Sequence, residues 1–572
     1  MCGIIGYTGK PDVTASLIGG LEKLEYRGYD SAGIALAVRG GISVIKSVGR
    51  ISQLTDKLKD VKLSASCGIG HTRWATHGKP TEINCHPHLS FGGRCAVVHN
   101  GIIENCRELH KLCELRGITP VSDTDSELIA HLLELNYDGD ALKAVRKTSE
   151  MLKGSFAVGA LFADRPEEIY AFRRLSPLLV GVDNGYTCLA SDGCAAEAKD
   201  VYVLGDGQYA RLSPSGAEFY IRGRRAAVKK ISGFGTGGGG KEGYEHYMLK
   251  EILEQPEAAA RTIEALQTKR LRGELLMLGC GSSYHAAMSA IPLAEQCTGK
   301  PAHAITAGEF ICSVRTGGRG RTAVLISQSG ETADTVSAAH EAEKRGWTTF
   351  GIANVQKSSL TRVCRRYALT HAGPEISVAT TKGFTSQVAA LAAMLATGSL
   401  REEVRKLPFA IERALNTDDA AAAAELFKPG RAAFFIGRRT DLAVALEGAL
   451  KLREITYIPA FGLSAGELKH GSISLIEDGM PVVLIHTDPA LKDKSLLTAA
   501  TVKARGGTVI AVTHDEEVAA FADLALRLPP VHPLLSSAVS VVPLQLLAYH
   551  TAVRLGTDVD KPRNLAKSVT VE

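Results

Sequence analysis

Cys2 combines two groups on one residue that can work together in catalysis. Removal of the initiator Met would leave the Cys2 thiol beside a free α-amine, whose unperturbed pKa is roughly 8. A nucleophile and an amine base on one residue can act without a separate His or Asp. Chain ends are usually frayed, so Cys2 by itself does not establish such a site.

Two polar segments in the same third of the chain carry side chains suited to binding an amino acid. TRWATHG (72–78) contains Arg73, whose planar fork matches a carboxylate. HNG (99–101) contains Asn-Gly, the strongest short signal for a hairpin turn, and such a turn would also present an N–H to a ligand. Taken alone, Arg73 is better interpreted as part of a surface ion pair.

Histidines are dense in this region, at positions 71, 77, 86 and 88. No nearby spacing of carboxylates or thiolates completes a metal-binding set around them. The twelve cysteines likewise form no CxxC pairs. We therefore expect neither a metal site nor a disulfide framework.

Hydroxyl-rich segments follow two apolar runs in the second half of the chain. They are CGSSYH (280–285) and SQSGETADT (327–335). Backbone N–H groups at a helix N-terminus, helped by Ser and Thr hydroxyls, form a ready phosphate site. Capping a helix is the commonest role of such hydroxyls. Two of these loops at one edge of one sheet nevertheless favour a phosphate site.

The elements that must position these residues fall into two kinds. Residues 2–222 show short alternating runs typical of strands, with helical stretches predicted at 11–24 and 125–152, and indicate an α+β domain. The segment 223–245 is rich in glycine and is predicted to be an interdomain linker. Beyond it, apolar strand patterns alternate with helical ones, which is typical of a parallel sheet covered by helices.

The second half also repeats itself. Gly279 and Gly437 lie 158 residues apart, as do Gln387 and Gln545, and other matched elements lie 159 or 160 apart. Such constant spacing predicts two tandem doubly wound, flavodoxin-like α/β domains, at 246–420 and 421–562, followed by a tail at 563–572. The second copy has IGRRTD and IHTDPA where the first has its hydroxyl-rich loops. The phosphate site is therefore expected on the first copy.

Bulk properties narrow the functional classes. The chain has 572 residues, 22% of them charged, and a formal net charge of +5, which gives no strong field for nucleic acid. No apolar run reaches the roughly 20 residues needed to span a bilayer, and no secretory signal is visible. We expect a cytoplasmic protein with no nucleic-acid or membrane partner.

The ordered motifs resemble a known family over the whole chain. MCGIIGY, EYRGYDSAG, GHTRWATHG, NCHPHL, VVHNGIIEN and SDTDSE resemble the N-terminal-nucleophile (Ntn) glutamine amidotransferase domain. The tandem repeat, with SQSGETADT and ELKHGSISLIEDG, resembles sugar-isomerase (SIS) domains. Together with the ending PRNLAKSVTVE, the chain resembles the glutamine–fructose-6-phosphate aminotransferases.

The resemblance implies roles in the use of glutamine. Cys2 would attack the side-chain amide of glutamine, form a glutamyl thioester and release ammonia. Asn100 and the N–H of Gly101 would stabilise the oxyanion, because such donors supply about 100-fold or more in rate. The other implied residues are Arg73 for the glutamine carboxylate, Asp125 for its ammonium group, Thr76 and His77 in the same loop, and Trp74 as a gate for ammonia.

The family resemblance also implies which residues act on the sugar phosphate. Lys567 would form a Schiff base with the ketose, Glu454 would move the proton between C1 and C2, and His470 would assist ring opening from the neighbouring subunit. From local sequence alone, Glu454 reads better as a helix-surface carboxylate paired with Lys451 or Arg453. The implied phosphate and sugar contacts are Ser282, where many relatives carry Thr, with Ser283, Ser327, Gln328, Ser329, Thr332, Lys451 and the backbone of Val378.

The implied product is glucosamine 6-phosphate, at the first step of the hexosamine pathway, with no cofactor and a homodimer as the assembly. The chain lacks the long insertion of nucleotide-sugar-inhibited members, so UDP-N-acetylglucosamine is not expected to inhibit it. Three alternatives stay open at this point. One is an amidotransferase with another acceptor, such as phosphoribosyl diphosphate or aspartate, although the acidic pair and the SGGxDS-like loop of those enzymes are not found in the sequence. The second is a deaminating or purely isomerising sugar-phosphate enzyme, which would not need Cys2, HNG and TRWATHG. The third is a sugar-phosphate sensor without catalysis.

Overall fold

The computed structural model describes residues 2–25, 28–59, 61, 63–74, 78–231, 240–313, 317–415 and 417–569. Residues 232–239, the centre of the predicted linker, lie outside the described residues. The chain divides into two compact units, Met1–Gly238 with Ser568–Glu572, and Gly239–Lys567.

The first unit is built mainly from antiparallel strands. The strands are β1 Gly3–Thr8, β2 Ser31–Val38, β3 Gly41–Val48, β4 Cys67–Arg73, β5 His88–Leu89, β6 Cys95–Ile103, β7 Gly154–Phe162, β8 Ile169–Arg174, β9 Leu179–Asp183, β10 Tyr186–Ala190, β11 Asp200–Val203, β12 Gln208–Ser213, β13 Gly216–Ile221, β14 Arg224–Arg225 and β15 Lys229–Ile231. The α-helices are α1 Thr14–Leu24, α2 Ile51–Lys59, α3 Cys106–Leu115, α4 Asp125–Asn136 and α5 Ala141–Met151.

These strands form two stacked sheets with helices on the outer faces. One sheet has the order β15-β11-β9-β10-β1-β4-β2-β3 and the other β14-β13-β12-β8-β7-β6-β5. One hydrophobic cluster lies between the sheets and joins residues such as Ile4 and Val98. A second packs α1 and α2 on the first sheet, and a third packs α3, α4 and α5 on the second sheet. The result is a four-layer α/β/β/α domain.

Two predictions for this unit are wrong in detail. The helix expected over 125–152 is two helices, because Asp138-Gly139-Asp140 forms a turn in which Gly139 has φ +102° and Asp140 caps α5 at the N–H of Lys143. Helices α2 and α3 were not predicted, since each is a short amphipathic segment, of 9 and 10 residues, and helices of this length depend on tertiary packing.

The second unit contains two parallel sheets. The first-copy elements are α6 Tyr247–Leu253, α7 Gln255–Leu266, β16 Leu275–Gly279, α8 Ser282–Thr298, β17 Ala302–Thr306, α9 Ala307–Cys312, β18 Thr322–Ser327, α10 Ala333–Lys344, β19 Thr348–Ala353, α11 Ser359–Val363, β20 Arg366–Leu369, α12 Lys382–Leu395, α13 Leu400–Arg413 and α14 Thr417–Ala424. The second-copy elements are β21 Ala433–Gly437, α15 Thr440–Thr456, β22 Ala460–Ser464, β23 Pro481–His486, α16 Lys492–Lys503, β24 Thr508–Thr513, α17 Glu516–Phe521, β25 Leu524–Arg527 and α18 Ser537–Leu555.

The two sheets have the same strand order. They run β17-β16-β18-β19-β20 and β22-β21-β23-β24-β25, which is 2-1-3-4-5 within each copy, and all pairs are parallel. This is the flavodoxin-like doubly wound order, and it confirms the predicted fold of the repeat. The copies agree even in a rare backbone conformation, since Gly281 and Arg439 precede α8 and α15 with φ of 53° and 55°.

The two copies share one hydrophobic core. A single cluster of buried residues extends from Met248 to Val559 and includes Met277 of the first sheet and Phe435 of the second. Helices of both copies, α8, α12, α15 and α18, pack together in it. Helix α18 is long and apolar enough by composition to cross a membrane, but 78% of its apolar window is buried within this core.

Candidate active sites

Cys2 lies immediately before β1, the strand that pairs with β4. Its Sγ accepts the backbone N–H of Trp74 at 3.3 Å and lies 3.5 Å from the Trp74 carbonyl oxygen. Burial raises the pKa of the Cys2 thiol, although the Trp74 N–H and Arg73 act in the opposite direction. The thiol is therefore protonated near neutral pH and needs a base before it can attack.

Asn100 is held between Cys2 and a buried histidine. Its Nδ2 donates to the Cys2 carbonyl at 3.0 Å, and its Oδ1 lies 3.1 Å from His71 Nε2. Because His71 Nε2 also lies 2.9 Å from the His99 carbonyl, both of its partners are acceptors and the proton must be on Nε2. Burial lowers the pKa of His71 to about 3, so the ring is neutral. His71 fixes which way the Asn100 amide points.

Gly101 lies inside β6 rather than in a hairpin turn, so the turn expected at HNG is wrong. Asn100 pairs with Ala157 and Gly101 with Phe156 across the β6–β7 ladder. Gly101 has φ +134°, and a Cβ on it would come within 2.0 Å of the Ser155 carbonyl oxygen. Only glycine fits this kinked strand position, which turns the backbone next to Cys2.

A small cavity next to Cys2 brings several predicted residues together. Arg73 and Asp125 are 3% and 5% exposed, and they offer the opposite charges that an amino acid requires. Asp125 begins α4 and accepts the Ile103 N–H at 2.8 Å, while Arg73 donates to the Gly78 carbonyl at 3.1 Å. The lining residues are Cys2, Arg73, Trp74, His86, His99, Gly101, Thr124, Asp125 and Ser126. Thr76 and His77 lie outside the described residues.

The dense histidines of this region pack against one another. His71 stacks on His86 with ring centroids 4.0 Å apart, and His88 bonds to Thr124 Oγ1 at 3.1 Å. Burial lowers the pKa of His86 and of His88 well below the usual value. Within the described ranges, no group of three or more His, Cys, Asp or Glu side chains has an arrangement that could hold a metal ion.

The hydroxyl-rich loops of the first copy meet at one sheet edge. They connect β16 to α8 and β18 to α10, and β16 and β18 are parallel neighbours. Ser327 Oγ lies 2.9 Å from Thr332 Oγ1 and accepts the Gly330 N–H at 3.0 Å. Thr332 occupies the N-cap position of α10 but makes no side-chain capping bond. Helix capping therefore does not account for this hydroxyl, and the amides of the first turn of α10 stay open to an anion.

In the second copy, a carboxylate, Asp441, lies where the first copy has its hydroxyl-rich loops. Asp441 aligns with Ser283, and it accepts the N–H and the Oγ1–H of Thr487 at 3.0 Å and 2.5 Å. Thr487 aligns with Gln328 of the first copy. Burial raises the pKa of Asp441 to about 6. A phosphate would meet a buried carboxylate there, which disfavours binding at the second copy.

Helices α8 and α15 meet through Glu447, which is fully buried. It accepts Ser282 Oγ–H at 2.8 Å, lies 2.7 Å from His285 Nδ1 and lies 3.5 Å from Lys451 Nζ. Lys451 Nζ is also 2.5 Å from Glu454. The pairing of Glu454 with Lys451 that local sequence favoured is therefore present. It places Glu454 at the edge of a buried charge cluster rather than on an isolated helix surface.

Lys567 reaches the first copy and contacts a carboxylate that sequence reasoning missed. Its Nζ lies 2.5 Å from Glu375 Oε2, and the two side chains are 6% and 0% exposed. A Cβ on Gly383 would come within 2.7 Å of Glu375 Oε2 and 3.0 Å of Gln328 Cγ. Glu375 and the SQSGETADT loop therefore lie close together, on either side of Gly383. The signal for Glu375 was a lone acidic residue shortly before the apolar helix α12.

Of the other residues predicted for the sugar site, Ser283, Ser329 and Val378 make hydrogen bonds within the fold, whereas His470 is exposed. Ser283 Oγ accepts Gln387 Nε2–H at 3.0 Å. Val378 donates its N–H to the Asp560 carbonyl at 2.9 Å. Ser329 Oγ accepts the Glu331 N–H at 3.1 Å. His470 is exposed at the end of a short 3-10 helix, and its ring bonds to nothing in the described part of the chain. The structure of one chain does not bring His470 to Lys567.

Comparisons with known proteins agree with this architecture. A model described as a glutamine amidotransferase domain matches residues 71–197, and one described as an SIS domain matches residues 271–397 and 425–555. The glutamine–fructose-6-phosphate aminotransferases (isomerizing) of Thermus thermophilus and Aquifex aeolicus are each 42% identical to this chain, with 100% of both chains covered. The chain belongs to this aminotransferase family.

A solved structure supports the assignment of the second half to the aminotransferase family. It is the C-terminal domain of glucosamine-fructose-6-phosphate aminotransferase from Francisella tularensis, at 36% identity and a TM-score of 0.54, covering 57% of this chain and 100% of that one. The predicted fold class, an Ntn-type α+β domain followed by two SIS domains, is confirmed. Family membership removes the alternatives with another acceptor or without catalysis.

Proposed function

We propose that this chain converts fructose 6-phosphate and glutamine to glucosamine 6-phosphate and glutamate. The observation that carries the proposal is the buried amine of Lys567 beside the hydroxyl-rich loops of the first copy. A sensor needs no buried amine, whereas addition of nitrogen to a ketose is served by a lysine that forms an imine. The nitrogen comes from glutamine through Cys2.

At the glutaminase site, Cys2 attacks the amide carbon of glutamine. Arg73 binds the glutamine carboxylate and Asp125 its ammonium group, and Thr76 and His77 are assigned to glutamine binding by the family resemblance alone. Asn100 Nδ2 and the Gly101 N–H receive the oxyanion. Support for this comes from Asn100 Nδ2, which is already directed at the Cys2 backbone, and from neutral His71, which keeps it there. Trp74 regulates passage of the released ammonia.

At the sugar site, Ser282, Ser283, Ser327, Gln328, Ser329 and Thr332 hold the phosphate and sugar hydroxyls with the carbonyl of Val378. Lys567 forms the Schiff base, Glu454 shifts the proton between C1 and C2, and Lys451 orients Glu454 through their ion pair. We assign the exposed His470 to the site of a second subunit, so the working form is a homodimer. We place the reaction in the cytoplasm, where twelve free thiols such as those of this chain persist.

The domain limits that accompany this proposal are 2–222 for the glutaminase, 223–245 for the linker, 246–420 and 421–562 for the SIS domains and 563–572 for the tail. The decisive experiment supplies glutamine labelled with ¹⁵N in its amide, together with fructose 6-phosphate, and follows the product by mass spectrometry. Labelled glucosamine 6-phosphate is expected. Product without label, or sugar binding without product, would contradict the proposal.

A further inference from the structure

The ion pair between Lys567 and Glu375 is buried at the reacting amine. Lys567 Nζ and Glu375 Oε2 are 2.5 Å apart, and neither side chain is more than 6% exposed. A lysine must lose a proton before it can attack a carbonyl carbon. Bulk water cannot readily take that proton from a group buried to this degree. The nearest acceptor atom is the carboxylate oxygen already bonded to Nζ.

Glu375 is held in place by the start of α12. Its Oε1 accepts the N–H groups of Thr381 and Gly383 at 2.9 Å and 2.8 Å, and its Oε2 accepts Thr380 Oγ1–H at 2.7 Å. Burial alone would raise the pKa of Glu375, but Lys567 and these donors outweigh it and lower the pKa. The carboxylate is thus ionised, and these hydrogen bonds hold its Oε2 against Lys567 Nζ. Glu375 does not have to rotate before it accepts a proton from Lys567.

A second carboxyl group lies beside this pair. Glu251 is 2% exposed, and one of its oxygens accepts the N–H groups of Ile376 and Ser377. Its Oε2 is buried and has no hydrogen-bond partner among the described residues. Burial and the charge of Glu375 raise the pKa of Glu251 to about 8, so it is protonated at neutral pH. Glu251 therefore adds no second negative charge that would compete with Glu375 for the proton.

The two other lysines near Glu375, Lys382 and Lys451, are paired with other carboxylates. Lys382, on α12, is paired with Glu254 at 2.5 Å. Lys451, on α15, is paired with Glu454 at 2.5 Å and with Glu447 at 3.5 Å. Glu454 makes no bond to Lys567 within the described residues. Glu375 is therefore the carboxylate in contact with the Lys567 amine.

We propose that Glu375 is a catalytic residue that takes the proton from the Lys567 ammonium group and so frees the amine to attack the ketose. This inference rests on the proposed role of Lys567. One proton moves from Nζ to Glu375 Oε2, and the Nζ lone pair bonds to C2 while the C2–O double bond opens. A second Nζ proton passes to the C2 oxygen, which becomes a hydroxyl, and the third stays on the nitrogen of what becomes a protonated imine. Glu375 then returns its proton to that hydroxyl, which leaves as water and gives the imine.

The test is the substitution Glu375→Gln in the full chain. Gln keeps an oxygen that can accept the Thr381 and Gly383 N–H groups, so α12 stays capped, but it cannot accept a proton. The enzyme is mixed with fructose 6-phosphate and cyanoborohydride, which reduces the imine, and the modified Lys567 peptide is quantified by mass spectrometry over time. We expect the rate of adduct formation at pH 7 to fall about 100-fold, the usual size of a lost general base.

The pH profile separates proton transfer from a structural role. Between pH 7 and 9, adduct formation in the Glu375→Gln variant should rise about tenfold per pH unit, as solution base replaces the carboxylate, while the wild-type rate changes little. Binding of fructose 6-phosphate, measured by calorimetry, should stay within about threefold. The matched control is Glu254→Gln, which removes a carboxylate from a different lysine in the same unit and should leave the adduct rate unchanged.

Two outcomes would overturn the inference. If the wild-type enzyme forms the Lys567 adduct and Glu375→Gln forms it at an equal rate, Glu375 is not the proton acceptor, although the proposed function stands. If the variant is slow at every pH and has lost sugar binding, Glu375 is structural. Absence of any Lys567 adduct in the wild-type enzyme would instead contradict the proposed role of Lys567 itself.

Discussion

The orientation of the Asn100 side chain, on which its proposed role depends, is determined by the neighbouring His71. The Asn100 side-chain amide carries an oxygen acceptor and a nitrogen donor. The Nε2–H of His71 donates to Asn100 Oδ1, and Asn100 Nδ2 is therefore directed towards the Cys2 carbonyl. Sequence inspection noticed His71 only as a member of a histidine-rich stretch. The missed signal is its position on β4 two residues before Arg73, so that both side chains lie on the same face of the strand.

Asn100→Ala should lower the kcat of glutamine hydrolysis about 100-fold or more, because it removes one donor to the oxyanion. The KM for glutamine should change by only a few-fold, since Arg73 and Asp125 are untouched. Glutamate release in a coupled dehydrogenase assay measures both constants. Asn105→Ala, an asparagine outside the cavity, is the control. A variant with wild-type kcat and a raised KM would place Asn100 in ground-state binding instead.

The second residue-scale prediction concerns Glu251 and stability. Its pKa is raised from 4.5 to about 8 in the fold, so the folded state keeps a proton that the unfolded chain releases across that range. Stability therefore falls as pH rises from about 4.5 to about 8, by an amount on the order of a few kcal/mol. Glu251→Gln, which stays neutral, should raise Tm by several degrees at pH 8.5 and leave it unchanged at pH 5.

Scanning fluorimetry at the two pH values measures this effect. Glu412→Gln is the matched control, because that carboxylate is exposed on α13 and surface substitutions change stability little. An equal Tm difference at both pH values would show that Glu251 does not carry a raised pKa.

At the scale of elements, the repeat was predictable and several helices were not. Buried parallel strands read as continuous apolar runs, and the constant offset between copies located both sheets. Helix α2 has only 9 residues and packs on one sheet through Ile51 and Leu54, so tertiary packing rather than local sequence determines it. The position of Gly101 within a strand could not be predicted either. Asn-Gly favours a hairpin turn, but here pairing with β7 keeps both residues in the strand.

Asp560 is one of the residues that anchor the segment carrying Lys567. Its carboxylate accepts the N–H groups of Tyr247 and Met248 at the start of α6, and its carbonyl accepts that of Val378. Asp560→Ala should lower glucosamine 6-phosphate synthesis about tenfold or more, because misplacing a reacting group by about 1 Å is costly. Loss of the cap alone costs about 1 kcal/mol of stability.

Asp515→Ala provides the comparison for that prediction. Asp515 caps α17 through the N–H groups of Glu517 and Val518, and it has no bond to the tail in the described part of the chain. Both variants should lose a similar amount of thermal stability, but only Asp560→Ala should lose synthesis. Equal losses of activity would mean that capping, and not tail placement, is what matters.

For the whole molecule, each unit has its own core and its own proposed nucleophile: Cys2 in the first and Lys567 in the second. The two reactions are therefore separable, and only ammonia has to connect them. Cys2→Ala should abolish glutamine-dependent synthesis while sparing synthesis from free ammonia, because it leaves the sugar site intact. Formation of glucosamine 6-phosphate with each nitrogen source at saturating fructose 6-phosphate measures the two activities.

The same reasoning applies to the α-amine of Cys2, which we propose as the base because burial raises the pKa of the Cys2 thiol. An enzyme that retains Met1, or carries a tag before it, should behave like Cys2→Ala: no glutaminase activity, normal ammonia-dependent synthesis and an unchanged Tm. Intact-mass spectrometry verifies the N-terminus, and glutamate release measures the loss. Full glutaminase activity with Met1 in place would show that a base other than the Cys2 amine activates the thiol.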